Sequence, residues 1–142
     1  MTTVAVSGGF DPVHIGHVRM FNAAKKLGDR LVVIVNNDNW LKKKKGYSFM
    51  KEEDRKEIIE NFASVDSAVL TMHTADDPDD SVCRDLERLK PEIFANGGDR
   101  KEDNVPEYTV CDKLGIKMVF NVGGEKLRSS SDLVAESKKR MS

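Results

Sequence analysis

Apolar and polar positions along this chain follow two alternating rhythms. Val4-Ala5-Val6, Leu31-Val32-Val33-Ile34-Val35, Ala68-Val69-Leu70, Ile93-Phe94-Ala95 and Met118-Val119-Phe120 are short unbroken apolar runs. Such runs mark strands covered on both faces, as in a parallel sheet. Between them apolar residues return at helical spacing, with Ile15, Val18, Phe21 and Leu27 over 15–27 and Ile58, Ile59 and Phe62 closing 48–61. Further helices are expected over 81–89 and 107–114, with a last one running to about Arg140. Gly28 suits a left-handed C′ position, Lys25 and Lys26 face the negative end of the first helix, and Glu52, Glu53 and Asp54 face the positive end of the second. Strand, helix and strand at this spacing imply parallel βαβ units in a doubly wound sheet, whose ligand crevice lies at the carboxyl ends of the strands.

Composition narrows this picture without redirecting it. The 142 residues suit one domain, 1–142, with a net charge of −1 and 33% charged residues. That balance argues against a nucleic-acid or anionic-membrane partner. No apolar run approaches the roughly 20 residues of a membrane span, so a cytoplasmic protein is expected. Cys83 and Cys111 are far apart with no other ligand at metal-binding spacing, which predicts free thiols.

Chemistry concentrates where strands should end. After the first run comes Ser7-Gly8-Gly9-Phe10-Asp11-Pro12-Val13-His14-Ile15-Gly16-His17. Gly8 and Gly9 permit close backbone approach, and the following helix start offers N–H donors to an anion. His14 and His17 share one helical face with Gly16 between them, placed to grip one phosphate. Trp40-Leu41-Lys42-Lys43-Lys44-Lys45-Gly46-Tyr47 reads as a loop leaving the second strand, with Lys43 and Lys45 the candidates to reach a phosphate. Arg55 lies within the amphipathic segment beyond. The acidic stretch 74–80 is expected to be a solvated connection in which Asp79 or Asp80 caps the next helix. Gly97-Gly98-Asp99 ends the fourth strand, and Arg128-Ser129-Ser130-Ser131 opens the last helix with hydroxyls and N–H groups.

Residues 8–17, Gly-Gly-Phe-Asp-Pro-Val-His-Ile-Gly-His, resemble the His-x-Gly-His signature of the cytidylyltransferase-like nucleotidyltransferases. The resemblance implies a Rossmann-like three-layer α/β/α sandwich with a five-stranded parallel sheet in the order 3-2-1-4-5. It implies a reaction in which an acceptor phosphate or phosphonate attacks the α-phosphorus of a nucleoside triphosphate and pyrophosphate leaves. By the same resemblance His14 and His17 contact the α- and β-phosphates, Lys45 or Lys43 the acceptor phosphate, and Arg55 with Ser130 the β- and γ-phosphates. Gly8, Gly9, Phe10, Asp11, Gly97, Asp99, Arg128 and Ser129 join the nucleotide site. Mg²⁺ is expected on the phosphates, with Asp11 able to hold it through water or to cap the turn, and a homodimer is usual for such enzymes. Residues 124–131 depart from the similar second signature Arg-Thr-x-Gly-Ile-Ser-Thr-Thr, with Gly124 where the family has arginine and Arg128 where it has isoleucine. Lys126 or Arg128 is left to replace that charge. The early segments favour CTP over ATP, with an ATP-using adenylyltransferase as the alternative. A non-catalytic nucleotide-binding module would not need both histidines and the lysine run.

Overall fold

The computed structural model describes residues 1–97 and 106–123. Its elements run β1 (Thr3–Gly8), α1 (Ile15–Lys25), β2 (Arg30–Val35), α2 (Asp38–Lys45), α3 (Glu52–Glu60), β3 (Ser67–Leu70), α4 (Cys83–Leu89), β4 (Ile93–Ala95), α5 (Tyr108–Leu114) and β5 (Lys117–Val119). All strand pairs are parallel and the sheet order is β3-β2-β1-β4-β5. This is the Rossmann-like α/β architecture expected.

The unbroken apolar runs are explained by burial on both sides of the sheet. Val4, Val6, Leu31, Val33 and Val35 pack with Phe21 and Ala24 of α1 and Ile59 of α3. Ala5, Ile34 and Phe94 face the opposite way, onto Leu86 of α4 and Cys111 of α5. Alternate residues of one strand therefore enter two different cores, and a polar residue at either set of positions would be buried. The carboxyl ends of β1 and β2 are locked in step by the Asn36 amide on the Gly8 carbonyl (2.9 Å).

Three local features differ from expectation. The lysine run is a helix, α2, and not a loop. Asn37 caps it by accepting the Trp40 amide (3.0 Å), Gly46 closes it at φ 83°, and the four lysines occupy its last turn against the negative dipole end. The second predicted helix then starts late, at Glu52, because residues 46–51 must turn back after α2. α1 ends at Lys25 with Lys26 as its C-cap, before the expected Gly28, whose backbone is not left-handed and whose place is set by crowding. A Cβ there would lie 2.7 Å from the Thr2 carbonyl oxygen and 2.8 Å from Val4 Cγ2. No helix among the described residues is long and apolar enough to cross a membrane.

Candidate active site

The turn from β1 into α1 is built around Phe10. Its backbone is left-handed (φ 52°), and its ring folds over Gly8 so closely that a Cβ there would meet Phe10 Cζ at 2.9 Å. The same ring meets His17 edge-on (centroids 4.9 Å apart, 86°) and Phe21 at 5.3 Å. Phe10 is 3% exposed. Phe10, expected in the nucleotide site, turns its ring inward, where it orients His17 and fills the space that Gly8 leaves. Gly9 has its own crowding, since a Cβ would lie 3.1 Å from Leu41 Cδ2.

His14 and His17 form a capping box at the start of α1. His14 Nδ1 accepts the Gly16 amide and His17 Nδ1 accepts the His14 amide, each at 3.1 Å. A ring nitrogen that accepts a backbone N–H carries no proton, so the hydrogen-bond pattern assigns the proton of each neutral ring to Nε2. The rings lie 3.9 Å apart, tilted by 32°, and both residues are partly buried. The two Nε2 sides are thus fixed close together at a helix N-terminus whose first turn carries no acidic residue, with that of His14 shielded from solvent. Gly16 permits this arrangement, because a Cβ on it would come within 2.9 Å of His14 Cε1. Gly16→Ala gains helix propensity yet displaces the His14 ring. We expect unfolding titrations to show unchanged or slightly higher stability while kcat falls at least roughly tenfold.

Asp11 and Arg55 hold this turn from within. Asp11 is 2% exposed, and its two carboxylate oxygens accept the Phe49 and Met50 amides (2.7 and 2.6 Å). Arg55 is fully buried. Its Nη1 donates to the Gly9 and Asn36 carbonyls (2.7 and 2.6 Å), its Nε to the Met50 carbonyl (3.0 Å) and its Nη2 to Asp38 Oδ1 (2.8 Å). The expected Arg55 contact with the triphosphate is therefore corrected, because its guanidinium is spent on the protein. Direct contact of Asp11 with nucleotide is corrected for the same reason. Burial alone would raise the Asp38 carboxyl, but hydrogen bonds from Ser48 and Arg55 outweigh it and hold the group below the usual carboxylate range. Sequence reasoning missed Asp38 as the partner of Arg55, because its contacts with Ser48 and Arg55 both come from beyond α2. The signal that pointed to Arg55 was real, but it marked a buried cation needing carbonyl partners.

The structure separates the lysines. Lys43 donates to the Asp77 carbonyl and pairs with Asp80 at 3.0 Å, while Lys44 reaches the same carboxylate at 3.3 Å. Lys43, expected beside an acceptor phosphate, is here engaged by the acidic stretch 74–80. Lys45 is partly buried and makes no ion pair among the described residues. The acidic stretch is itself tied down and not merely solvated. Asp77 is 4% exposed and bonded to Arg84 at 2.5 Å, and Trp40 Nε1 donates to the Asp80 carbonyl at 2.7 Å. Asp79 accepts Ser81 at the approach to α4, whose N-cap is Val82.

Gly97 follows Asn96 at the carboxyl end of β4. The expectations for Gly98, Asp99, Gly124, Lys126, Arg128, Ser129, Ser130 and Ser131 concern positions outside the described residues. No activated nucleophile emerges from the two cysteines: burial pushes the Cys111 thiol up to about 11 and raises Cys83 as well.

A parallel sheet with paired glycines and two histidines at its carboxyl edge has the chemistry that phosphate-bearing ligands require. A family model described as cytidylyltransferase-like matches residues 5–135. The chain belongs to this cytidylyltransferase-like family. It is 36% identical over 118 residues to an FAD synthase of Aciduliprofundum boonei, spanning 83% of this chain and 75% of that one. Over 119 residues it is 38% identical to the Bifunctional protein HldE of Gluconobacter oxydans, covering 82% of this chain and 24% of that longer protein. Among solved structures, the lipopolysaccharide core biosynthesis protein from Thermoplasma volcanium superimposes with a TM-score of 0.69 at 32% identity, covering 84% of this chain and 93% of that one.

Membership of the cytidylyltransferase-like family makes this chain a nucleotidyltransferase, and its donor geometry suits that chemistry. Nucleotidyl transfer by direct displacement needs no protein nucleophile. It needs donors that stay in place while charge develops on phosphate oxygens. As for the expected Mg²⁺, both Asp11 oxygens are engaged by amides, and no group of three or more His, Cys, Asp or Glu among the described residues is placed to hold a metal. The described residues do not form a metal seat, and no step is assigned to one.

Proposed function

We propose that this nucleotidyltransferase moves an adenylyl group from ATP to the phosphate of a small acceptor, with flavin mononucleotide the leading candidate. One observation carries the reading: paired Nε2–H donors, fixed by backbone amides at the start of α1, stand beside the Gly8–Gly9 turn. The choice of ATP over the CTP expected from sequence is supported by the similarity to FAD synthases, since FAD is flavin mononucleotide carrying an adenylyl group. CTP becomes the second reading and a sugar phosphate the second acceptor.

In the proposed reaction an acceptor phosphate oxygen forms a bond to the α-phosphorus of ATP, the bond from that phosphorus to the bridging oxygen of the β-phosphate breaks, and pyrophosphate leaves. His14 and His17 donate to phosphate oxygens throughout and need not exchange a proton. Lys45 offsets repulsion between the acceptor phosphate and the triphosphate, while Gly8, Gly9 and Gly97 keep the strand ends open to both. Arg55 and Asp11 act at one remove, by fixing the turn. Incubating the full chain with each of the four nucleoside triphosphates and either flavin mononucleotide or a sugar 1-phosphate, while following pyrophosphate, tests the reading. ATP with flavin mononucleotide is expected to give FAD and pyrophosphate in equal amounts. A preference for CTP, or no pyrophosphate with the flavin, overturns it.

A further inference from the structure

Phe49 leaves its ring in solvent while its backbone is held fast. The side chain is 55% exposed. The Phe49 amide donates to Asp11 Oδ2 at 2.7 Å, and the next amide, of Met50, donates to Asp11 Oδ1 at 2.6 Å. The Met50 carbonyl in turn accepts Arg55 Nε at 3.0 Å, and Ser48 Oγ is placed between Asp38 Oδ1 and the Met50 carbonyl, 2.8 Å from each. Residues 48–50 are therefore pinned on both sides to the buried charges that fix the Gly9–His14 turn. A phenylalanine held this firmly forgoes the burial that usually stabilises it, and Phe49 and Tyr108 are the two exposed aromatic rings among the described residues.

Its position gives the exposure a use. Phe49 is four residues beyond Lys45 across the left-handed Gly46, so their Cα atoms are at most about 14 Å apart. Asp11, which anchors Phe49, precedes the first donor histidine by three residues. Ile15, immediately after His14, is also exposed, at 56%. A cation for a phosphate, a polar gap and an apolar ring on one short segment match an acceptor that carries phosphate at one end of a polyol chain and a flat aromatic system at the other.

The geometry points to Phe49 as the specificity residue for the acceptor, stacking on the isoalloxazine ring of flavin mononucleotide while Lys45 receives its phosphate. This inference rests on the flavin reading of the site and adds to it the residue that distinguishes a flavin from a sugar phosphate. The fixed backbone matters, because a platform already ordered before binding costs little entropy when the ligand arrives. A sugar phosphate has no aromatic ring system to stack on Phe49 and covers far less of its face than an isoalloxazine does.

Steady-state kinetics of the full chain with ATP and flavin mononucleotide test the assignment, using Phe49→Ala and Phe49→Trp. Because the side chain is exposed, neither variant threatens the fold, and unfolding titrations verify this. Phe49→Ala is expected to raise KM for the flavin roughly tenfold while KM for ATP and kcat stay within about twofold. Phe49→Trp is expected to retain a low flavin KM and to quench flavin fluorescence on binding more strongly than the wild type. An unchanged flavin KM in Phe49→Ala, or no added quenching in Phe49→Trp, overturns the inference although the wild type makes FAD. A wild type that makes no FAD instead overturns the flavin reading itself.

Discussion

His17→Ala lowers kcat by about two to three orders of magnitude, the effect of removing one preorganised donor from a transition state that gains charge on phosphate oxygens. KM for the triphosphate should move far less, because the donor is worth most when the α-phosphorus is five-coordinate. The substitution also removes the acceptor of the His14 amide (3.1 Å) and the ring packed against Phe10. A cap loss of about 1 kcal/mol is therefore expected alongside. Single-turnover rates together with urea titrations separate the two effects. A variant that keeps near-normal turnover would remove the histidine pair from the chemistry.

Arg55→Ala should fail in the opposite manner, through the fold. It strands the Gly9, Asn36 and Met50 carbonyls and leaves Asp38 without its cation inside the protein. Removing one partner of such a buried network costs about 3 to 5 kcal/mol, a large share of the stability of a domain this size. Arg55→Lys should recover little, since one ammonium cannot replace a planar fork directed at four acceptors. Denaturation midpoints check this. A triphosphate ligand would behave differently, with an unchanged midpoint and a raised KM. The pairing also has a pH signature. The Asp38 carboxyl is held low in the folded state, so its stabilisation is complete above the ordinary carboxylate pKa and disappears as pH falls through the lowered one. Stability of the wild type should therefore fall more steeply below about pH 4 than that of an Asp38→Asn variant.

The sheet was legible because its signal is redundant. Val4-Ala5-Val6 and Leu31-Val32-Val33-Ile34-Val35 must be buried on both faces, and the alternation with helical segments leaves few ways to connect them. The histidine pair was legible because His14, Gly16 and His17 act locally, within one helix start. Tertiary partners were not legible. Arg55 and Asp11 read as ligand contacts through the family resemblance, and nothing local announced that carbonyls of residues 9, 36 and 50 would surround the guanidinium. The lysine run lacks an apolar stripe and so read as a loop. Its helix is specified instead by its ends, Asn37 and Gly46, a capping signal that was present in the sequence and outweighed by composition. The division of labour among the lysines depends on Asp80, thirty-odd positions away, which no spacing rule reaches.

The central claim is that His14 and His17 present neutral Nε2–H donors to the triphosphate. The chain has three histidines, and the third supplies an internal control. His73 is 3% exposed, with Nδ1 on Thr71 Oγ1 (2.8 Å) and Nε2 donating to the Ser81 carbonyl (3.0 Å), so both its nitrogens are occupied within the protein. Nitrogen-15 NMR of the imidazoles, recorded at pH 7.5 before and after addition of a non-hydrolysable ATP analogue, measures protonation and contact together. The account predicts Nε2–H tautomers for His14 and His17, with their Nε2 resonances shifting on addition of the analogue and those of His73 standing still. Imidazolium signals from the pair, or an analogue that binds without moving either of them, would contradict it.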